Sequence, residues 1–161
     1  LVNYHKSIGA EATISLTPTD NPSQYGIVPT DDHGQVTGFI EKRRKNLSIF
    51  QSLFGNDERF IIQKENGSSS WFSFTIVLNP KISIKRSKVI HALRDAKIEF
   101  RIITGGCFLR HDVIRYFDYE TVGDIINANI IHDRGFFVGN YPTDLKPQIE
   151  KLKDVLDRTT C

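Results

Sequence analysis

The run from Ser69 to Leu78 most constrains how this chain can fold, because it combines strand-forming residues with the single tryptophan of the sequence. Its side chains alternate with the two-residue period of a β-strand. One face would carry Phe72, Phe74, Ile76 and Leu78, and the other Trp71, Ser73, Thr75 and Val77. We therefore expect a sheet strand whose fully apolar face is covered by the rest of the chain, with Trp71 in the core.

The composition is that of an ordinary globular domain. The chain has 161 residues, of which 39% are hydrophobic, and this is enough apolar material for one core. Its formal net charge of +2 is too small to indicate binding to nucleic acid or to an acidic membrane surface. No apolar run has membrane-spanning length, and Cys107 and Cys161 form neither a metal-binding spacing nor a disulfide framework. We expect a cytoplasmic protein, and the absence of Met leads us to expect a fragment, a processed chain or a fusion.

The first forty residues predict short β-elements. Alternation predicts a strand over 11–17, which Pro18 and a turn at 20–23 would end. Two further strands, 25–28 and 35–40, flank Asp31-Asp32-His33-Gly34, a string that is typical of a tight hairpin turn. We expect His33 to be a solvated turn residue rather than a ligand.

The remaining sequence predicts helices and strands in turn. A charged run at 41–46 leads into helical spacing that Gly55 would end, which predicts an amphipathic helix with a solvated basic first half. Further patterns predict helices over 86–96, 123–132 and 144–157, and strands over 59–63, 98–103 and 136–139. The strand over 59–63 lies close enough in sequence to the Trp71 strand to pair with it. The pattern indicates an α+β fold, with a small mixed or antiparallel sheet covered by helices and an N-terminal β-hairpin segment.

A glycine turn after the predicted strand over 98–103 concentrates groups that suit an anionic ligand. These residues are Arg101, Thr104, Gly105, Gly106, Arg110 and His111. Exposed backbone N–H groups and guanidinium groups both bind anions well. The alternative interpretation is a tight turn with surface arginines. His91 and His132 lie on predicted helices, where we expect structural or solvated roles.

Several strings at the start of the chain point to a known family. They are Tyr4-His5, Gly9-Ala10, Asp20-Asn21-Pro22-Ser23-Gln24-Tyr25-Gly26, Asp31-Asp32-His33-Gly34 and Phe39-Ile40-Glu41-Lys42. Together they resemble the middle of sugar-1-phosphate nucleotidyltransferases of the mannose-1-phosphate guanylyltransferase kind. The resemblance implies that Tyr25, Gly26, Glu41 and Lys42 line a sugar-phosphate pocket, although Arg43 stands where that family has proline. The family's glycine-rich nucleotide loop and metal-binding aspartate have no match here, so we do not expect nucleotidyl transfer.

A longer set of strings, from about Phe39 onward, points to a second family. They are Lys42-Arg43-Arg44-Lys45-Asn46, Ser69-Ser70-Trp71-Phe72-Ser73-Phe74, Phe100-Arg101-Ile102-Ile103-Thr104-Gly105-Gly106-Cys107-Phe108-Leu109-Arg110-His111, Tyr116-Phe117, Asn127-Ala128-Asn129 and Gly135-Phe136-Phe137-Val138-Gly139-Asn140. This region resembles the C-terminal small domain of DegT-like sugar aminotransferases, which are fold-type-I enzymes dependent on pyridoxal phosphate (PLP). His111 and Tyr116 match the His and Tyr of the aminotransferase pattern Tyr-x-Pro-x-His-x-x-x-x-Tyr. Cys107 and Leu109 stand where that pattern has its first Tyr and its Pro. This departure favours the dehydratases that act on GDP-4-keto-6-deoxymannose.

The second resemblance implies a division of the chain and a function. Residues 1–42 would be a nucleotidyltransferase-like segment and residues 43–161 a PLP-enzyme small domain, which implies a role in deoxysugar or O-antigen synthesis. In that family the small domain covers a cofactor cleft in a large domain, which carries the Schiff-base Lys or the His that replaces it. We therefore assign no catalytic or metal-binding residue and expect the chain alone to be inactive and to bind no PLP.

The resemblance also implies the partners. It favours a GDP-sugar or related sugar nucleotide bound by the glycine turn, with either a second copy of the chain or a missing large domain as the protein partner. Two alternatives stay open: a non-catalytic module for sugar-nucleotide binding or dimerisation, and a fragment of a sugar-1-phosphate nucleotidyltransferase.

Overall fold

The computed structural model describes residues 2–9, 30–33 and 38–160. The helices are α1 (Val2–Ile8), α2 (Phe39–Phe54), α3 (Arg86–Asp95), α4 (Ile126–Arg134) and α5 (Lys146–Thr160). The strands are β1 (Phe60–Ile62), β2 (Ser73–Leu78), β3 (Arg101–Ile102) and β4 (Gly135–Gly139). Two short 3₁₀ turns, Phe108–Arg110 and Asp112–Tyr116, follow β3. Every helix within these described ranges is too short or too polar to cross a lipid bilayer.

The four strands form one sheet in the order β1-β2-β4-β3, in which all neighbours pair antiparallel. At its centre Phe74 lies opposite Val138, and Ile76 lies opposite Phe136. β1 and β2 pair as their closeness in sequence predicts. At the other edge Arg101 lies opposite Phe137. The predicted α+β class and the antiparallel form of the sheet are confirmed.

Helices α2, α3 and α5 cover the face of the sheet that carries Phe74, Ile76 and Leu78. The buried cluster on this face is Leu47, Phe50, Phe54, Phe60, Trp71, Phe74, Ile76, Leu78, Val89, Leu93, Phe136, Val138, Ile149, Leu152 and Leu156. Phe50 of α2 stacks on Phe74, with ring centroids 4.4 Å apart. Because each such side chain contributes about 1.5–3 kcal/mol when fully buried, this face is the main source of the fold's stability.

The central strand is shorter than the sequence pattern predicts. Trp71 has a left-handed backbone with φ of 51°, so the extended chain begins only at Ser73. Phe72 therefore leaves the apolar face and is 72% exposed, and the prediction that it extends that face is wrong. Trp71 itself is 3% exposed, so its predicted place in the core is confirmed.

Helix α2 begins earlier than the sequence predicts. Phe39 and Ile40 are its first residues, so their assignment to a hairpin strand is wrong. The predicted boundary between residues 1–42 and 43–161 falls inside this helix, and the division stays a prediction. The predicted strand over 11–17, and residues 25–29 and 34–37 of the predicted hairpin, lie outside the described residues. His33 is described and exposed, and its N–H donates to Asp31 Oδ1 over 3.0 Å, as expected of a solvated turn residue.

Strand β3 is reduced to two residues because the end of α3 uses part of the predicted strand. Lys97 is left-handed, with φ of 55°, and its N–H donates to the Arg94 carbonyl over 3.0 Å. The Ile98 N–H donates to the Leu93 carbonyl over 2.9 Å. These two bonds form a Schellman motif, which satisfies the last carbonyls of the helix and starts the strand later. The other predicted helices and strands are present with bounds shifted by a few residues.

Candidate functional site

The loop 104–111 follows β3, includes the first 3₁₀ turn and packs against α4. Gly106 has φ of 50°, and a Cβ at this position would lie 2.6 Å from His132 Nδ1. Glycine is therefore required here by both the backbone conformation and the close approach. The next residue, Cys107, donates its N–H to the same His132 nitrogen over 3.2 Å. The sequence predicts both the glycine turn and the helix, but not the contact between them.

His111 closes the loop from its other end. Its Nε2–H donates to the Gly105 carbonyl over 2.7 Å. Its ring lies edge-on to His132, with centroids 5.8 Å apart, and 5.9 Å from the ring of Phe108. One of the two ring nitrogens of His111 is therefore engaged in a hydrogen bond within the loop.

Arg110 is held by an ion pair at the surface. Its Nη1–H donates to Asp133 Oδ1 over 2.8 Å and lies 3.5 Å from Asn129 Oδ1, both on α4. The Arg110 and Asp133 side chains are 41% and 56% exposed. Because exposed ion pairs contribute only about 0–1 kcal/mol, a ligand anion can compete with Asp133 for this guanidinium.

Arg101 borders a different opening. It is exposed on β3 and lines an open cavity of about 1100 Å³, which lies between residues 97–101 and residues 137–152. The structure thus gathers Thr104, Gly105, Gly106, Arg110 and His111 in the loop on α4, whereas Arg101 lies on the wall of this cavity. Whether Arg101 shares a ligand with the loop stays a prediction.

Arg43 borders the same cavity, although the charge pattern predicted only a solvated basic helix face at this position. It is half-buried, and its guanidinium carbon lies 4.2 Å from the ring centroid of Phe39 and 5.6 Å from that of Phe72. Burial lowers the pKa of Arg43, and its Nε atom is buried without a hydrogen-bond partner. An aromatic residue four positions before a helical arginine is a signal that points to such a cation–π contact.

The structure describes two of the four candidate sugar-phosphate residues from the first resemblance. Glu41 and Lys42 are exposed on the first turn of α2. Tyr25 and Gly26 lie outside the described residues. A sugar-phosphate pocket formed by these four residues stays a prediction.

An exposed apolar strip begins at Phe108 within the loop and continues to Ile126, and sequence periodicity did not reveal it. Its members are Phe108, Val113, Tyr116, Phe117, Tyr119, Val122 and Ile126. Tyr116 is 82% exposed and Val122 87% exposed, and the rings of Phe108 and Phe117 lie 6.4 Å apart. Exposed apolar surface concentrated in one segment is typical of a site that contacts another protein surface or a ligand.

The described lysines do not fit a Schiff base with PLP. Lys153 is the only lysine of residues 2–9, 30–33 and 38–160 that is not exposed. Its Nζ pairs with Asp157 over 2.6 Å and with Asp57 over 3.1 Å. Burial alone would lower the pKa of Lys153, but these hydrogen bonds outweigh it and the pKa is raised. A Schiff base requires the neutral amine, which this arrangement disfavours.

This antiparallel sheet covered by helices is similar in fold to part of the fold-type-I PLP-dependent aminotransferases and dehydratases. Residues 34–157 match the DegT/DnrJ/EryC1/StrS aminotransferase family. The chain belongs to that family.

Several similar proteins are GDP-4-keto-6-deoxymannose 3-dehydratases. The chain is 38% identical over 134 residues to GDP-4-keto-6-deoxy-D-mannose 3-dehydratase of Yersinia pseudotuberculosis, covering 83% of this chain and 34% of that protein. It is similar to the Escherichia coli GDP-4-keto-6-deoxy-D-mannose 3-dehydratase with bound hydrated PLP, with a TM-score of 0.70, 37% identity, and coverage of 73% of this chain and 31% of that one. A mutant of GDP-4-keto-6-deoxymannose 3-dehydratase with bound GDP-perosamine gives the same TM-score, identity and coverage. The chain spans about a third of the length of these relatives.

A second, shorter similarity supports the other resemblance. The chain is 46% identical over 50 residues to a probable mannose-1-phosphate guanylyltransferase of Oryza sativa subsp. japonica. That match covers 31% of this chain and 13% of that protein. A short segment of the chain is thus similar to a guanylyltransferase.

Proposed function

We propose that this chain is the small domain of a PLP-dependent sugar-nucleotide 3-dehydratase or aminotransferase, and that it recognises a GDP-sugar through the loop 104–111. The observation that carries the proposal is the geometry of this loop. It presents the Arg110 guanidinium and the Gly105–Gly106 turn together, and α4 holds both. The relatives whose names specify a GDP-sugar substrate support the choice of ligand.

The loop offers a diphosphate two kinds of donor. Arg110 would exchange its exposed bond to Asp133 for a charge-assisted bond to a phosphate oxygen, which is the stronger type of hydrogen bond. The backbone N–H groups of a glycine turn can bind a second oxygen without a side chain in the way. Thr104 is exposed at the start of the loop and adds a hydroxyl group.

The chain's own contribution would be recognition and covering of the site, not bond-breaking. Lys153 is the described lysine best shielded from solvent, and it pairs with two carboxylates. The described residues therefore do not fit the role of the Schiff-base lysine. We expect no dehydration or transamination by the 161-residue chain alone. In this proposal the exposed apolar strip packs against a large domain that carries the remaining groups.

The strip also favours a second candidate function, a binding or dimerisation module without catalysis. In that case a second copy of the chain would cover Tyr116 and Val122. Sedimentation velocity decides between the two: a dimer that Val122→Ser dissociates supports the module, and a monomer at high concentration supports the small-domain proposal. A nucleotidyltransferase fragment is the third candidate, and it rests on the short guanylyltransferase match.

Calorimetric titration of GDP-mannose into the chain tests ligand recognition. Loss of a hydrogen bond from a charged group costs about 1.5–3 kcal/mol, so Arg110→Ala should weaken binding by about 10- to 150-fold. Arg115→Ala is the matched control, because Arg115 is an exposed arginine of the next 3₁₀ turn, paired with Asp112 over 2.6 Å. Equal affinities of Arg110→Ala and the unmodified chain would reject the loop. Chemical-shift changes confined to Tyr25, Gly26, Glu41 and Lys42 would move the site to the first segment.

A further inference from the structure

His132 contacts the loop 104–111 at its narrowest point. Its Nδ1 accepts the N–H of Cys107 over 3.2 Å, and the Cα of Gly106 lies so close that a Cβ would be 2.6 Å from the same nitrogen. His132 is half-buried on α4, one residue before Asp133, which pairs with Arg110. Two adjacent residues of one helix thus hold the two ends of the segment Gly106–Arg110.

This contact fixes the protonation state of His132. An imidazole nitrogen can accept an N–H only through its lone pair, so Nδ1 carries no proton while the bond exists. A protonated ring donates from both nitrogens, and its Nδ1–H would then oppose the Cys107 N–H. The loop anchor therefore exists only with the neutral ring protonated at Nε2.

Several charged or titratable groups lie on the elements that pack around His132. From the loop side, the His111 ring lies edge-on at 5.8 Å, and Cys107 contributes a buried thiol. From α3, Arg86 Nη1–H donates to the main-chain carbonyl of His132 over 2.6 Å. On α4, Asp133 pairs with Arg110, and Arg134 Nη1–H donates to the carbonyls of Asn79 and Ile82.

We propose that His132 is a positioning residue that holds the loop 104–111 in its ligand-binding geometry, and that it does so only as the neutral ring. The inference rests on the proposed function, because the loop is the ligand site of that proposal. Acidification from about pH 8 to pH 5 should release the Cys107 N–H and lower the affinity of the loop for a GDP-sugar.

The experiment follows the Cys107 amide directly, by NMR hydrogen exchange and chemical shift across this pH range. Loss of one hydrogen bond should speed exchange by about tenfold in His132→Leu at pH 8. His132→Gln retains an acceptor, its side-chain carbonyl. In this variant we expect the Cys107 amide to be protected from exchange at pH 8, as in the unmodified chain, and to keep that protection at low pH. His91→Gln is the matched control, because His91 is exposed on α3. We also expect the ¹⁵N shifts of the His132 ring to report a proton on Nε2 at pH 8.

Three outcomes of the NMR measurements would overturn the inference. They are an unchanged Cys107 amide in folded His132→Leu, a proton on Nδ1 at pH 8, and the same pH dependence in His132→Gln as in the unmodified chain. The amide measurement requires no ligand, so it reports on the anchor even if the chain fails to bind GDP-mannose, a failure that would reject the proposed function instead. Where GDP-mannose does bind, an affinity unchanged in His132→Leu would reject the positioning role.

Discussion

The side-chain amide of Asn46 donates to Asn140 Oδ1 over 3.0 Å, and this bond joins α2 to the end of β4 across 94 residues of sequence. Both side chains are 1% exposed. Asn46 also donates to the carbonyls of Tyr141 and Thr143 and accepts the N–H of Leu145. Asn140 donates to the carbonyls of Arg43 and Trp71. The pair therefore satisfies the backbone of the β4–α5 connection and of the bend before β2.

Asn46→Leu should destabilise the fold by about 3 kcal/mol. The substitution has nearly the same volume, but it leaves buried Asn140 Oδ1 and partly buried main-chain groups of the β4–α5 connection without a partner, and each buried group costs about 1–3 kcal/mol. Urea unfolding measures the change, with Gln51→Ala on the exposed face of α2 as the control. A loss no larger than that of the control would mean that water or local shifts satisfy these groups.

Trp71→Ala and Phe72→Ala should differ strongly although the residues are adjacent. Trp71 is 3% exposed, and removal of a buried aromatic side chain costs about 3–5 kcal/mol. Phe72 is 72% exposed, so its truncation should change the free energy of unfolding by less than about 0.5 kcal/mol. Thermal melting of the two variants checks this contrast. Equal losses would place Phe72 in the core and contradict the bend at Trp71.

Periodicity was sufficient to predict the core but not the side-chain networks that shape its edges. Phe74, Ile76 and Leu78 obey the two-residue period and pack as expected, because burial depends on spacing along one element. The bend at Trp71 depends instead on Glu65, which accepts from Arg44, from the Ser69 N–H and from the indole of Trp71. Such contacts join separate segments and leave no local pattern.

The candidate site was likewise predictable only in part from the sequence. The glycine turn was visible as a string of residues, whereas its anchor depends on His132, a residue that sequence spacing could only place on a helix. Asn46 shares the helical spacing of Phe50 and Phe54 but lies in the charged run that was expected to be solvated, so its burial was not predicted. Its partner Asn140 lies on another element and could not be inferred from that spacing.

Glu65 should make the stability of the fold depend on pH in acid. Hydrogen bonds from Arg44, the Ser69 N–H and the Trp71 indole lower the pKa of Glu65 to about 2. The folded state therefore favours the carboxylate, and the stability this contributes is complete above the ordinary glutamate pKa of about 4.3 and is lost as the pH falls towards 2. Urea unfolding of Glu65→Gln should show lower stability at pH 7 and a shallower decline between pH 4.5 and 2.

The control for this prediction is Glu120→Gln, because Glu120 is exposed. Part of the acid dependence should persist in Glu65→Gln, since hydrogen bonds from Arg59 also hold the pKa of Asp57 well below its ordinary value. Parallel stability curves for Glu65→Gln and the unmodified chain would contradict the assigned role of Glu65.

Borohydride reduction after incubation with PLP should not label one lysine selectively. The exposed lysines lack an enclosing pocket, and the Lys153 ammonium is stabilised by Asp57 and Asp157, so it rarely loses the proton that a Schiff base requires. Peptide mapping should find low labelling spread over the exposed lysines. The double variant Asp57→Asn, Asp157→Asn removes both carboxylates, which should lower the pKa of Lys153 and increase its labelling while leaving the others unchanged. A one-to-one adduct on a single lysine of the unmodified chain, with the absorbance band of an internal aldimine, would show that this chain holds the cofactor itself.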